Sequence, residues 1–321
     1  MKQILLRTTL FLLPILLLLG GLEYVQKELP NDYAFKKANF EASLDRWEVL
    51  ILGSSHSYLG IDPHHIARPT FNLAYTAQTL AFDQFLLEKY IDQLTKLKFI
   101  VLPISYPTYG SESYLYPGIY NKTYYYHHYY GSDLFTKWYE PENYSLLALL
   151  TVKRAVDQTS QYYKGEGDAL VECDNTGWYG PTVTRDLEEN GRKSAGFHDL
   201  FYDTELYEAN EQYLTEMIQL CKSKGIEPIL VSTPMWHTYL SGLNPDRLQH
   251  MVQTTDAIAR KHQVLYLNHM DDPLYRSSDF FDANHLSPSG AEKFSKYLNS
   301  IIQSLENGQL ATPSQPFDIQ P

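Results

Sequence analysis

Residues 47–57 read WEVLILGSSHS, and this stretch sets the architecture that we expect for the rest of the chain. The apolar run at 49–52 is typical of a buried β-strand. It stops at Gly53 and Ser54, small residues that permit a tight turn. Ser55 follows where a helix would begin, a position that exposes its hydroxyl and brings backbone N–H groups close to it.

A second stretch, FFDANHLSP at residues 280–288, lies about 230 residues further along the chain. It places Asp282 and His285 three residues apart, just before a predicted helix start. A serine hydroxyl becomes a good nucleophile when an imidazole removes its proton, and the imidazole needs a carboxylate that fixes its tautomer. We therefore predict Ser55 as the nucleophile, His285 as the base and Asp282 as the carboxylate that orients the base.

Residues close to Ser55 and Asp282 are alternatives for the nucleophile and for the carboxylate. Ser54 is the alternative nucleophile, and Asp279 is the alternative carboxylate. His56 adjoins the nucleophile and is either structural or in contact with substrate. Asn72 is expected to brace the turn rather than to bind substrate.

The two stretches resemble blocks of the SGNH (GDSL-like) hydrolases. Gly53-Ser54-Ser55 stands where that family has Gly-Asp-Ser, and residues 282–291 are similar to its late Asp-x-x-His block. Residues 71–79, FNLAYTAQT, are similar to the second block, which normally ends in a glycine whose amide joins the oxyanion hole. Ala77 takes that place here, so the resemblance implies an oxyanion hole formed by the backbone amides of Ser55 and Ala77.

The resemblance covers roughly residues 47–110 and 200–304. It is closest to the membrane-anchored cell-envelope branch, which includes a teichoic-acid D-alanylation protein and alginate O-acetylation proteins. One departure affects the oxyanion hole: the third block of the family has Gly-x-Asn-Asp, and this chain reads PISYP at 103–107. The side-chain donor Asn is therefore missing, and either Ser105 substitutes for it or the two backbone amides act alone.

Strand and helix patterns alternate along the chain. Apolar runs predict strands at 49–52, 99–104, 227–234 and 264–267, and helical spacing predicts helices at 75–97, 206–224, 246–262 and 287–305. This order indicates an α/β fold, a flavodoxin-like three-layer sandwich with a parallel sheet. Ligands in such sheets bind beyond the carboxyl ends of the strands. Besides the triad, the candidate substrate-binding residues expected at that edge are Ser105, Gln78, Trp236 and His237.

The N-terminus carries an apolar run at residues 8–22, preceded by Lys2 and Arg7. No small-x-small cleavage pattern follows it, which favours an uncleaved signal anchor over a cleaved signal peptide. The basic flank stays in the cytoplasm, so the remainder of the chain is expected outside it. We accordingly predict a membrane anchor or signal at 1–26, a stalk at 27–46, a catalytic domain at 47–306 and a disordered tail at 307–321.

Composition narrows the partners and cofactors. A net charge of −12 argues against nucleic-acid binding, because no basic face offsets phosphate repulsion. The two cysteines, Cys173 and Cys221, are either free or paired with each other. No Cys/His cluster indicates a structural zinc site, and we predict neither a metal nor another cofactor.

The insertion at about 106–200 begins with a segment that is unusually rich in tyrosine, with ten between 106 and 130. It is either a lid or subdomain that packs through its rings, or a platform for sugars, in which Tyr124 and Tyr126 would bind substrate. Because the segment follows the second predicted strand, we expect it at the carboxyl edge of the sheet, beside Ser55. His127 and His128 are not expected to bind a metal by themselves.

Together these features predict an extracytoplasmic SGNH-type O-acyltransferase or esterase that acts on an acylated cell-envelope polysaccharide through a serine acyl-enzyme. The resemblance favours transfer, with a membrane-bound O-acyltransferase as a partner and the membrane contacted through the N-terminal helix. The alternative is a non-catalytic polysaccharide-binding or scaffold protein of an envelope-polymer modification or export complex.

Overall fold

The computed structural model describes residues 1–116 and 118–309, so most of the predicted disordered tail lies outside the described residues. The chain divides into two compact units. We call residues 38–116 and 173–309 the sheet unit, and residues 1–37 and 118–172 the anchor unit. The predicted insertion at 106–200 is thus split, since its ends belong to the sheet unit and its middle to the anchor unit.

The sheet unit contains a five-stranded parallel sheet in the order β2-β1-β3-β4-β5. This is the flavodoxin-like order, and it confirms the predicted fold class. A separate antiparallel pair, β6 and β7, follows the sheet. The strands are β1 Val49–Ile51, β2 Thr70–Asn72, β3 Phe99–Pro103, β4 Glu227–Ser232, β5 Leu265–Asn268, β6 Phe280–Asp282 and β7 His285–Leu286.

The helices alternate with the strands in the sheet unit and form most of the anchor unit. In chain order they are α1 Lys2–Glu28, α2 Asp32–Glu41, α3 Ser55–Gly60, α4 Leu80–Tyr90, α5 Thr123–Tyr125, α6 Leu146–Leu149, α7 Val152–Gln161, α8 Leu187–Leu200, α9 Tyr207–Ser223, α10 His237–Leu240, α11 Pro245–His262 and α12 Pro288–Glu306.

The strands β1, β3 and β4 are continuous apolar runs because both faces of the sheet are covered. Val49, Val101 and Ile229 are almost completely buried and pack in one cluster with Phe294 and Leu298 of α12. Burying such side chains contributes about 1.5–3 kcal/mol each, which makes this face a main source of stability. The sheet therefore provides a rigid support for the loops at its carboxyl edge.

Helix α4 is shorter than the spacing predicts at both ends, since it runs from Leu80 to Tyr90 instead of from residue 75 to residue 97. The loop between β2 and α4 carries Ala77 with φ of 56°, a left-handed conformation that cannot continue a helix. The helical spacing therefore extends across a loop, the one that holds the predicted oxyanion donor Ala77. The other predicted helices begin and end within one or two residues of their observed bounds.

The segment predicted as a stalk, residues 27–46, contains the end of α1 and the whole of α2. Phe40 of α2 is fully buried in the sheet unit and lies 5.0 Å, ring centre to ring centre, from both Phe71 and Tyr90. Cys173 and Cys221 are both buried, and no disulfide joins them to each other.

In the anchor unit, α1 is long and apolar enough to cross a membrane, and its apolar stretch is not buried against the protein. Tyrosines hold the rest of this unit together. The ring of Tyr33 in α2 stacks on Tyr125 at 4.5 Å and meets the edge of Tyr126 at 5.7 Å, and Tyr124 packs with leucines of α6. The rings of this segment are thus used mainly for internal packing.

Candidate active site

The turn after β1 brings a serine to the start of a helix. Gly53 has φ of +105°, and a Cβ there would lie 2.2 Å from Cγ of Pro103 in the neighbouring strand β3. Only glycine fits this close approach without displacing the strand. Ser54 is the N-cap of α3 and Ser55 is its first residue, as the strand-turn-helix pattern predicts.

Ser55, His285 and Asp282 form a continuous hydrogen-bonded chain. Oγ of Ser55 lies 2.7 Å from Nε2 of His285, and Nδ1 of His285 lies 2.7 Å from Oδ1 of Asp282. Both distances lie within the range of a working nucleophile–base–carboxylate set. Asp279, the alternative carboxylate, instead accepts from the backbone amide of Arg276 at 3.0 Å.

A short hairpin, formed by β6 and β7, holds Asp282 and His285 together. Asp282 in β6 is paired with His285 in β7, and the register of the two strands shifts between Phe280 and Asp282. The pairing places the side chains of Asp282 and His285 next to each other. The hairpin is tied down at Ala283, whose amide donates to Oδ1 of Asn190 in α8 and whose carbonyl accepts from the amide of Trp236. The orientation of the base is therefore set by structure outside its own loop.

Asp282 is kept as a carboxylate by its surroundings. Its burial alone would raise the pKa, but His285, the amide of Asn284 and the guanidinium of Arg185 together lower the pKa below the usual value. The amide of Asn284 donates to Oδ1 at 3.1 Å, and Arg185 lies 3.9 Å from Oδ2. A negative charge is thus present at neutral pH to stabilise an imidazolium at His285.

The predicted oxyanion donors lie at the ends of two connected loops. The amide of Ser55 is at the first position of α3, where helix N–H groups have no intrahelical acceptor. Among the described residues, none accepts a hydrogen bond from the amides of Ser55 or Ala77. The loop of Ala77 is joined to the nucleophile turn by the amide of Tyr75, which donates to the carbonyl of Gly53 at 3.0 Å.

Asp83 ties these two loops together, and sequence reasoning missed it. Its Oδ1 accepts from the amide of Gly53 at 2.8 Å and from the side-chain amide of Gln78 at 2.5 Å. Burial raises the pKa of Asp83 to about 7. The only sequence signal was an acidic residue within the apolar start of α4, LAFDQFLL.

Asn72 has the bracing role that its position predicts. Its side-chain amide donates to the carbonyl of Ser57 at 2.8 Å and to that of Ile61 at 2.9 Å. Its side-chain oxygen accepts from the amide of Ala74 at 3.1 Å. One side chain therefore links the end of β2 to α3 and to the start of the Ala77 loop.

Two further histidines surround the triad. The ring centre of His56 lies 5.1 Å from that of His285. The second histidine is His198 of α8, whose Nδ1 lies 2.6 Å from the hydroxyl oxygen of Tyr239. Sequence reasoning missed His198. Burial and the charge of His285 lower the pKa of His56 well below its usual value and that of His198 to about 4. Both stay neutral at neutral pH, so neither competes with His285 for the proton.

The remaining candidates differ in their surroundings. Ser105 caps the short turn after β3, and its Oγ lies 3.3 Å from Oγ1 of Thr108. Gln78 is buried and bonded to Asp83. Trp236 packs against Phe280 of the hairpin formed by β6 and β7, with ring centres 5.5 Å apart, and donates from Nε1 to Glu188.

His237 is largely exposed and lies 3.6 Å from the same Glu188. Tyr124 and Tyr126 belong to the anchor unit and are each 1% exposed, so their ring faces are not available to a sugar in this structure. Within residues 1–116 and 118–309, no group of three or more His, Cys, Asp or Glu residues could hold a metal ion.

No protein-family model matches the chain, and no curated protein matches it either. Similar solved structures include a GDSL-like lipase from Bacteroides thetaiotaomicron, with 11% identity, a TM-score of 0.40 and coverage of 87% of this chain and 100% of the other.

Two more have comparable figures. A protein proposed to be an acylhydrolase, from Bacteroides fragilis, has 12% identity, a TM-score of 0.41 and coverage of 86% and 96%. One proposed to be a platelet activating factor, from Streptococcus pneumonia, has 13% identity, a TM-score of 0.42 and coverage of 90% and 98%. The function proposed below is argued from the geometry of the site.

Proposed function

We propose that the chain is a serine esterase or O-acyltransferase of the SGNH type that forms an acyl-enzyme on Ser55. The observation that carries the proposal is a pair of consecutive hydrogen bonds, each 2.7 Å long. One joins Oγ of Ser55 to Nε2 of His285, and the other joins Nδ1 of His285 to Oδ1 of Asp282. A hydroxyl, an imidazole and an ionised carboxylate in this order are suited to acyl transfer.

In the first half-reaction, Oγ of Ser55 attacks the carbonyl carbon of an ester while its proton passes to Nε2 of His285. The amides of Ser55 and Ala77 stabilise the oxyanion, and Asp282 stabilises the imidazolium. The tetrahedral intermediate collapses, the bond to the alcohol oxygen breaks, and His285 returns the proton to the leaving alcohol. Ser55 then carries the acyl group.

In the second half-reaction, His285 removes a proton from an incoming hydroxyl, which attacks the carbonyl carbon of the acyl-enzyme. The tetrahedral intermediate collapses, the bond to Oγ of Ser55 breaks, and His285 returns the proton to Oγ. Water as the acceptor gives hydrolysis, and a sugar hydroxyl gives transfer. We favour an acylated cell-envelope polysaccharide as donor or acceptor, because the sequence resembles the envelope branch and α1 is long and apolar enough for a membrane anchor. A membrane-bound O-acyltransferase would be the partner that supplies acyl groups from the cytoplasmic side.

A fluorophosphonate probe tests the acyl-enzyme directly, because it reacts only with an activated serine. We expect labelling of the wild-type chain, a mass increase on the peptide that contains Ser55, and its loss in Ser55→Ala and His285→Ala. Ser54→Ala is the matched control and should remain labelled. A folded wild-type chain that is not labelled would favour the non-catalytic alternative and overturn the proposal.

Transfer and hydrolysis are then separated by the fate of the acyl group. With a nitrophenyl acetate donor and an envelope polysaccharide as acceptor, transfer predicts acetyl groups on the polymer, and hydrolysis predicts free acetate with an unmodified polymer. Incorporation that depends on Ser55 would support the transferase form. Acetate release alone, at any polymer concentration, would leave the esterase form.

A further inference from the structure

Helix α7 of the anchor unit leaves an apolar face open to solvent. Val152 is 58% exposed, Val156 is 51% exposed, and Tyr163, just after the helix, is 72% exposed. Positions 152 and 156 are one helical turn apart and share a face, whereas the charged residues of α7 point elsewhere. The helix is thus amphipathic, yet much of its apolar side has no protein to cover it.

The same helix is fixed at the end of the long apolar helix α1. The side-chain amide of Gln26 donates to the carbonyl of Ala155 and to the hydroxyl of Thr159, each at 2.8 Å, and Gln26 is buried. Ala155 and Thr159 adjoin Val152 and Val156 around the helix. The open apolar face therefore lies beside the contact with α1.

A second set of bonds holds the segment before α7 to α1. The carboxylate of Glu23 accepts from the hydroxyl of Ser145 at 2.8 Å and from the amides of Leu146 and Leu147 at 3.1 and 3.0 Å. Glu23 thereby caps the N-terminus of α6. The chain from α6 to α7 is attached to α1 at two successive turns.

The height of α7 along α1 follows from helix geometry. The apolar run of α1 ends at Leu22, and Gln26 lies four residues beyond it, which is about 6 Å at a rise of 1.5 Å per residue. If the apolar run occupies the hydrocarbon core, α7 lies at the level of the lipid headgroups. Amphipathic helices with an open apolar face bind at that level, with the face about 5–10 Å deep.

We propose that α7 is an interfacial helix whose face of Val152 and Val156 inserts into the headgroup region of a phospholipid bilayer, together with Tyr163 just after the helix. The inference rests on the proposed membrane anchoring by α1 and goes beyond it, since it assigns a second lipid contact. That contact would fix the tilt and height of the anchor unit on the membrane.

The experiment uses the full chain in phosphatidylethanolamine–phosphatidylglycerol vesicles, with a nitrobenzoxadiazole fluorophore on a single introduced cysteine. Val156→Cys places the probe on the proposed face, and Gln161→Cys, exposed on the opposite side of α7, is the matched control. The two native cysteines are buried, and the unsubstituted chain measures their background. Shallow doxyl-labelled lipids should quench the probe at position 156 at least twofold more than the probe at 161.

Three outcomes would overturn the proposal. Equal quenching at the two positions, with both probes open to aqueous iodide, would show that the face remains in water. A probe at 156 that is shielded from iodide but not quenched by doxyl lipids would show that protein covers the face. If deep doxyl lipids fail to quench a probe at Leu16→Cys, α1 does not span the bilayer, and both the proposed membrane anchoring and the proposal for α7 are wrong. Fluorophosphonate labelling of Ser55 in the same vesicles reports separately on the proposed catalytic function.

Discussion

Two adjacent serines of this chain each contact a histidine, and only one pair is suited to catalysis. Oγ of Ser55 lies 2.7 Å from Nε2 of His285, and Oγ of Ser54 lies 3.0 Å from Nδ1 of His56. The other nitrogen of His285 bonds to Asp282, whereas Nε2 of His56 is buried and without a hydrogen-bond partner among the described residues.

The comparison shows that contact between a hydroxyl and an imidazole is not sufficient. A histidine that accepts a proton becomes a cation, and a buried cation needs a compensating charge. His285 has the carboxylate of Asp282 for this purpose. Burial lowers the pKa of His56 well below its usual value, so His56 stays neutral and cannot hold the proton of Ser54.

The largest expected effect comes from breaking the Ser55–His285 pair. Ser55→Ala or His285→Ala should each lower kcat on nitrophenyl acetate by about 10⁴–10⁶-fold, and the double variant should be little worse, because members of such a unit act together. Ser54→Ala should change kcat less than about tenfold. If Ser54→Ala is inactive and Ser55→Ala retains its activity, the two pairs have been assigned the wrong way round.

The next effect tests the charge that distinguishes the pairs. Asp282→Asn keeps the shape of the side chain but removes the negative charge, and we expect a loss of about 10³–10⁴-fold in kcat. Asp279→Asn is the control at the alternative carboxylate and should lose less than about tenfold. Steady-state kinetics on both variants, with melting temperatures to verify folding, make the comparison. A larger loss in the Asp279 variant would contradict the assignment.

The hydrogen-bonded set of Ser55, His285 and Asp282 is predictable because each member is local to a recognisable pattern, and the catalytic role of the set stays a prediction. Ser55 follows a strand and a tight turn, and Asp282 and His285 are three residues apart in a single block. The parallel sheet is predictable for a similar reason, since continuous apolar runs such as that of β3 are typical of strands buried on both faces.

Residues that support the triad over long distances in sequence were not predictable. Asp83 reaches Gly53 across thirty residues, and His198 and Asn190 come from α8, a helix within the insertion that the motifs do not cover. No local pattern records such contacts, because they exist only after α4 and α8 have packed. The position of the tyrosine-rich segment beside Ser55 stays a prediction, and the burial of Tyr124 and Tyr126 favours its packing role.

A smaller effect is expected from the brace between the two oxyanion loops. Asp83→Ala should lower kcat by about 10–100-fold with little change in KM, because the amides of Ser55 and Ala77 would lose their alignment with the transition state. Asp83→Asn should restore most of the activity, since its amide oxygen can accept from Gly53 and Gln78. Equal losses in both variants, with unchanged stability, would show that the carboxylate itself is required.

The same brace predicts how stability depends on pH. Burial raises the pKa of Asp83 from 3.8 to about 7, so the folded state holds this proton more tightly than the unfolded state. Its contribution to stability is therefore fully present below about pH 4 and is lost as pH rises to about 7. Asp83→Asn should remove that loss. The melting temperature of the variant minus that of the wild type should therefore increase as pH rises from 5 to 8. An unchanged difference between the two proteins across this range would contradict a buried, protonated carboxyl.

The smallest effect is expected at the second pair itself. His56→Gln removes a titratable ring that lies 5.1 Å from His285, and a charged neighbour at that distance would shift the pH at which the base titrates. Because burial keeps His56 neutral, we expect kcat/KM to fall less than about fivefold and the midpoint of the pH–activity profile to move less than about 0.3 units. The measurement is kcat/KM on nitrophenyl acetate from pH 5 to 9, with Ser54→Ala as the companion variant. A shift of more than about one unit in either variant would show that His56 carries charge during catalysis, and the two serine–histidine pairs would then have to be treated as one coupled system.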